Sequence, residues 1–229
     1  ITFDNRGIGD SVKGSINKCG ATLENWGRLD MAGALERLKT EFPAVTYHLI
    51  GNSAGGQLMG LMPNYKDLSS IFNVSCSSGS ISNNTFLFSL QAHFFLSFYI
   101  PLNNLIFGNS NSHWVGMGEP LPKKIGADWG RYCRGRGYVE QDLGTRIKEH
   151  WYGEISVPSL WLWATDDKIA NLANVKDMIR VMPKLDAKIE ALDPKELGIK
   201  GGIGHMGFFR RKCQGLWVKA VEWLEGNMG

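Results

Sequence analysis

Cysteine is scarce in this chain, and no two cysteines form a motif. Cys19, Cys76, Cys133 and Cys213 are widely separated and make no C-x-x-C pair, so neither a zinc site nor a dithiol redox centre is supported. A reducing compartment, the cytoplasm, is the expected location. Concentrated charge is lacking too. The net charge is only +3, and the basic residues fall in short clusters: Lys123-Lys124, Arg134 with Arg136, and Arg210-Arg211-Lys212. Nucleic-acid binding needs a more continuous positive face, so these clusters read as solvated surface. There is no internal repeat and no low-complexity linker. Ile1-Thr2-Phe3-Asp4 turns polar at once and does not read as a signal peptide. The most apolar stretch, residues 86–107, has the length of a bilayer span, but Gln91, His93, Asn103 and Asn104 interrupt it and Pro101 breaks it. Two amphipathic helices over an apolar cavity are expected there, with no stable membrane insertion.

What is present is ordinary globular composition, 43% hydrophobic and 21% charged over 229 residues, enough for one α/β domain with a small insertion. Residues 1–4 read as the end of a buried strand, followed by a glycine-punctuated loop. Trp26, Leu29, Leu35, Leu38 and Phe42 recur at helical spacing before Pro43. Strands are expected at 45–50, 71–76, 157–164 and 187–192. Helical segments are expected up to Met62, over 175–182, and at the end, where Leu216, Ala220, Trp223 and Leu224 share a face. Alternating strands and helices predict a doubly wound, mostly parallel α/β sheet. Ligand sites in such sheets lie at the carboxyl ends of the strands, where Asp4, Ser53, Asp167 and His205 all fall in this reading.

Gly51-Asn52-Ser53-Ala54-Gly55 fits G-x-S-x-G between a β-rich run and a helical one. A serine on a tight strand-to-helix turn needs small neighbours, and the turn lifts its hydroxyl out of the sheet. It also aims the amide of Ala54, at the helix N-terminus, towards a developing oxyanion. Serine needs a base to take its proton. His48 lies within a strand, His93 in the apolar stretch, and His113 and His150 in polar loops. His205, in a glycine-rich loop between the last strand and the last helix, is the candidate that reaches over the sheet. Asp167, or alternatively Asp166, follows the strand at 157–164 and supplies the carboxylate behind the histidine; one of the two is also expected to cap the next helix. Gly202-x-Gly204-x-x-Gly207 fits a dinucleotide fingerprint, but no strand remains to complete a βαβ unit, so cofactor binding is not expected.

Together these motifs resemble the α/β-hydrolase superfamily over essentially the whole chain. F-D-N-R-G-I-G-D-S at 3–11 looks like the signature after strand 4, G-N-S-A-G-G like the nucleophile elbow, W-A-T-D-D-K-I-A like the acid loop and G-I-G-H-M-G-F-F like the histidine loop. The similarity is greatest to a group of bacterial predicted hydrolases, through residues 57–63 and 128–134. The resemblance implies a core of residues 1–80 and 156–229 with a helical lid at 81–155. It favours Asp167 over Asp166, although Ala164 and Asn171 replace the usual glycine and proline of that loop. It also implies that the fold's first three strands, with a second oxyanion amide, are absent from this chain. The expected activity is hydrolysis of a carboxylic ester or thioester by a serine esterase or lipase-like enzyme, with Ser53, Asp167 and His205 as triad and without metal or organic cofactor. The lid aromatics Phe86, Phe88, Phe94, Phe95, Phe98, Tyr99, Phe107 and Trp114 suggest an apolar acyl or aromatic substrate group. An acyltransferase with the same triad, or a non-catalytic binding protein, is the alternative. An exposed sheet edge would invite pairing with another chain, the route to a homo-oligomer.

Overall fold

The structure, a computed structural model, describes residues 1–112 and 118–228. Four strands, β1 (Tyr47–Asn52), β2 (Leu68–Val74), β3 (Pro158–Ala164) and β4 (Asp186–Leu192), form one sheet in that spatial order, every pair parallel. Side chains alternate across a strand, so the central strands β2 and β3 each feed two cores. Phe72, Val74, Leu160 and Leu162 pack with Phe208 and Leu216 on one face. Ile71 and Trp161 meet Val175 and Met178 on the other. In these central strands both faces are apolar because both are covered, the condition under which parallel sheets persist.

The expected strand at residues 1–4 is not formed. A strand exists only through a hydrogen-bonded ladder, and β1 pairs with β2 alone. Asp4 instead ties down the following turn: its carboxylate accepts the Asp10 amide at 3.0 Å and its carbonyl accepts the Ser11 hydroxyl at 2.8 Å. Asp4 therefore does not stand at the carboxyl end of a strand.

Helix α1 (Ala32–Glu41) is entered through a short α turn, Leu23–Asn25, and a π segment, Trp26–Met31. Thr22 and Asn25 form a reciprocal capping box at its start. Helix α2 (Ala54–Gln57) follows β1 directly. Between β2 and β3 lie α3 (Phe86–Phe94), a π segment (Phe95–Tyr99), α4 (Ile100–Ile106) and α5 (Lys123–Arg134). Helix α6 (Leu172–Arg180) connects β3 to β4, and α7 (Val218–Glu225) closes the chain.

Pro101 does not break the apolar stretch. Residues 86–106 form one continuous helical run, in which the π segment widens the backbone just before the proline, whose ring would otherwise strike the preceding turn. Neither aspartate caps the helix after β3: Asn171 does, its side chain accepting the Asn174 amide at 3.0 Å. Among the described residues no helix is long and apolar enough to cross a membrane. Helix α5 lies tightly against the 86–106 run because Gly130 has no side chain; a Cβ there would stand 3.0 Å from the Leu96 carbonyl oxygen.

Candidate active site

Ser53 sits between β1 and α2 with φ 49° and ψ −117°, a strained conformation for a residue with a Cβ. Two donors hold the turn: the Ser53 amide and the Asn52 carboxamide both reach the Val74 carbonyl, at 3.1 and 3.2 Å. The crossing of strand and helix leaves no space for side chains. A Cβ on Gly51 would lie 2.7 Å from the Gly56 amide nitrogen, and one on Gly56 would lie 2.5 Å from Cys76 Sγ. Ala54 opens the helix, so its amide is among the donors that a helix leaves without an internal acceptor. Beneath the turn, Asn73 is fully buried and its carboxamide has no hydrogen-bond partner among the described residues.

The loop after β4 presents His205. Gly201, Gly202 and Gly204 all take positive φ, at 73°, 71° and 59°. Asp166 clamps this backbone, accepting the amides of Ile203 and Gly204 at 2.9 Å each. Lys212 donates to the Gly201 carbonyl at 3.0 Å and the Gly202 carbonyl at 2.5 Å. So held, the imidazole bridges two side chains. Its Nε2 is 3.0 Å from Ser53 Oγ, and its Nδ1 is 2.8 Å from Asp167 Oδ2. The other Asp167 oxygen accepts the Ile169 and Ala170 amides at 2.8 and 2.9 Å.

The Asp167 side chain is wholly buried. Burial alone would raise its pKa, but the hydrogen bond and charge of His205, with the two amides, outweigh it and hold the carboxyl below its ordinary value. An ionised Asp167 fixes the proton on Nδ1 and leaves Nε2 as the acceptor facing the serine hydroxyl.

The structure thus brings together Ser53, His205 and Asp167, with Ala54 beside the serine and Asp166 one step back on the loop. The other described histidines are elsewhere. His48 pairs with Ser70 Oγ at 2.8 Å within the sheet, and His93 is exposed on α3. His150 packs beside Tyr152, with its Nδ1 buried and unpartnered among the described residues. His113 and Trp114 lie outside the described residues.

A cavity of about 670 Å³ opens on Ser53 and His205. Its walls are mostly apolar, with Leu23, Trp26, Leu121, Ile125, Trp129 and Tyr138, and Arg210 lies at its rim. Of the lid aromatics that suggest an apolar substrate group, none among the described residues is part of this lining, and Phe86, Phe94 and Phe98 are exposed. Besides the elbow and His205, the lining comes from Leu23, Trp26, α5 and the segments around it. The role of Asp166 as backbone clamp was also invisible in sequence, although an aspartate paired with a distant Gly-x-Gly loop is the signal that reveals it. Two other cavities of about 690 Å³ lie on the amino-terminal side, and neither includes Ser53.

No protein-family model matches the sequence, and no curated protein matches it significantly. Solved structures do resemble it. A candidate non-heme bromoperoxidase from Mycobacterium tuberculosis is 15% identical, covering 100% of this chain and 81% of its own, at a TM-score of 0.55. The protein Rv0554 of the same organism is 16% identical, covering 100% and 80%, at 0.57. A thermophilic esterase from Thermogutta terrifontis is 17% identical, covering 99% and 79%, at 0.53. The fold is that of the α/β-hydrolases, with about a fifth of each neighbour lacking a counterpart here.

Proposed function

We propose, on this α/β-hydrolase frame, that the protein is a serine hydrolase cleaving a carboxylic ester or thioester through an acyl-serine intermediate. The observation that carries the reading is the 3.0 Å contact between His205 Nε2 and Ser53 Oγ, made by a serine held at φ 49°. Nε2 takes the hydroxyl proton as Oγ attacks the substrate carbonyl. The imidazolium so formed is stabilised by ionised Asp167. The tetrahedral oxyanion turns towards the Ala54 amide, and such a donor contributes about 100- to 1000-fold in rate. The intermediate collapses by expelling the alcohol or thiol, which receives the proton from Nε2. Water then repeats the sequence on the acyl-serine, releasing the acid and restoring Oγ–H.

The apolar walls of the cavity favour an apolar acyl or aromatic group, and its volume lies within the range of small-molecule sites. Helices α3 to α5 act as a lid in this reading, with α5 supplying the inner wall. The likeness to an esterase of the same fold agrees with ester chemistry.

The test is labelling by a fluorophosphonate probe, together with p-nitrophenyl butyrate hydrolysis, on the chain and on Ser53→Ala. Labelling and turnover that both vanish in the variant support the reading. A folded wild-type chain that neither labels nor turns over would leave a ligand-binding protein on the same fold.

A further inference from the structure

We propose that the helical run of residues 86–106 is a docking face for an anionic lipid surface. The inference stands apart from the chemistry proposed for Ser53, because binding to a lipid surface is read without turnover.

The run shows solvent a continuous apolar stripe. Phe86, Leu90, Phe94, Phe98 and Leu102 follow one another at four-residue intervals and are all exposed, with Leu105 one turn further on. At about 100° per residue, four-residue steps drift around an α-helix. The wider π turn at Phe95–Tyr99 takes back part of that drift and keeps the late members in line with the early ones. The exposures are extreme for such residues, 85% at Phe86 and 82% at Leu105. The opposite side is anchored: Leu96, Ile100 and Asn103 are buried, Phe95 packs edge-on against Trp129 of α5 at 5.8 Å, and Arg134 donates to the Leu96 carbonyl at 2.9 Å. The stripe is therefore the free face of a fixed helix. Contiguous exposed apolar surface of this kind marks a site of interaction.

Charge identifies the occupant. No Asp, Glu, Lys or Arg occurs between Asp67 and Glu119, so the stripe offers a partner no ion pairs. Three lysines lie by its carboxyl-terminal end. Asn104 Nδ2 donates to the Lys123 carbonyl at 3.0 Å, which places Lys123 and Lys124 beside it, and Asn109 reaches Asn17 at 2.9 Å, which brings Lys18 near. All three lysines are exposed and make no side-chain hydrogen bond or ion pair among the described residues. A second copy of this face would supply no carboxylates to them. An anionic headgroup layer over an apolar interior satisfies both halves of the pattern. Trp129 also lines the Ser53 cavity, so that cavity lies one side-chain layer behind the docking face.

The experiment is co-sedimentation of the full chain with vesicles of phosphatidylcholine alone and with about 30% phosphatidylglycerol. We expect binding to the mixed vesicles, lowered about tenfold by Phe94→Gln with Phe98→Gln. Lys123→Gln with Lys124→Gln is expected to remove about fivefold per lysine on anionic vesicles and nothing on neutral ones. All variants should keep wild-type circular dichroism. A single Leu105→Gln at the far end of the stripe, expected to weaken binding as well, guards against misfolding of the double variant. Absence of wild-type binding to both vesicle types overturns the proposal. Wild-type binding by the folded Phe variant overturns it as well, as does a wild-type dimer that the same substitutions split.

Discussion

Asp166 accepts the Gly204 amide at 2.9 Å, one residue before the histidine that Asp167 holds through its ring. Two adjacent carboxylates thus act on one loop at different levels, one on its backbone and one on its imidazole. Removing them should have separable effects. Asp167→Asn is expected to lower kcat for p-nitrophenyl butyrate by about a thousandfold or more, because the tautomer and the charge behind the base are lost. Asp166→Ala loses two hydrogen bonds to amides and should cost about 1–3 kcal/mol of stability, with about a tenfold fall in kcat. A reversal of the two kcat effects would move the acid assignment to Asp166.

The elbow gives a sharper comparison, because Gly55 and Gly56 are neighbours with opposite surroundings. A Cβ on Gly56 would collide with the Asn73 carboxamide and press on Cys76 Sγ, whereas one on Gly55 meets nothing within 4 Å. Gly56→Ala should therefore destabilise the fold by about 1–3 kcal/mol. It should also slow fluorophosphonate labelling of Ser53. Gly55→Ala, in a short helix, should be neutral or stabilising by up to about 1 kcal/mol. Thermal melts of the two variants check this, and equal losses would contradict the packing under the turn.

The meeting of Ser53, Asp167 and His205 was legible in the sequence, and the course of residues 1–4 was not. Asp167 follows β3, whose apolar run is continuous because both of its faces are covered, whereas Ser53 follows the edge strand β1 and His205 the mixed, half-exposed β4; there the signal is the glycines, which mark the close crossing at the elbow and the positive φ of the histidine loop. Residues 1–4 look like a strand in composition, yet a ladder needs a partner and composition does not specify one. Pro101 was misleading in the opposite direction, since a local π turn removes the clash that normally ends a helix. The cavity walls were illegible for another reason: Leu23, Trp129 and Tyr138 converge only through tertiary packing, and even the element at residues 128–134 that holds Trp129 does not say which of its side chains faces the cavity.

Acid stability should follow the buried carboxylates. Burial acts to raise the pKa of Asp177 as it does that of Asp167, but the Gly137 amide at 2.8 Å, Ser78 and Arg180 outweigh it and the net shift is downward. For both groups the unfolded chain binds its proton at a higher pH than the folded protein does. Their stabilisation is complete above the ordinary value of 3.8 and is lost as pH falls through the lowered folded values. Asp128 has the opposite sign: burial outweighs the Leu23 amide and Arg131, its folded pKa is raised, and stability falls as pH rises from 3.8 to that value. Urea midpoints between about pH 3 and 7 should therefore drop towards the acid end, and the drop should be shallower in Asp177→Asn. An unchanged slope in that variant would show that the Gly137 and Arg180 contacts do not persist in solution.

Thiol reactivity offers an independent check on the interior. Cys76 lies beneath the elbow and Cys133 lines the Ser53 cavity, and burial pushes each thiol up to about 12. Cys213 is buried in the core on the far face of the sheet, and Cys19 alone is partly exposed. Only the thiolate reacts, and it needs access. A disulfide reagent at about pH 8 should therefore titrate one cysteine in the native protein, Cys19, and all four after denaturation. Cys19→Ser should reduce the native count to zero without altering fluorophosphonate labelling of Ser53. Rapid native modification of Cys133 would mean that the cavity is far more open than its lining indicates, and the apolar-acyl reading would then lose its main support.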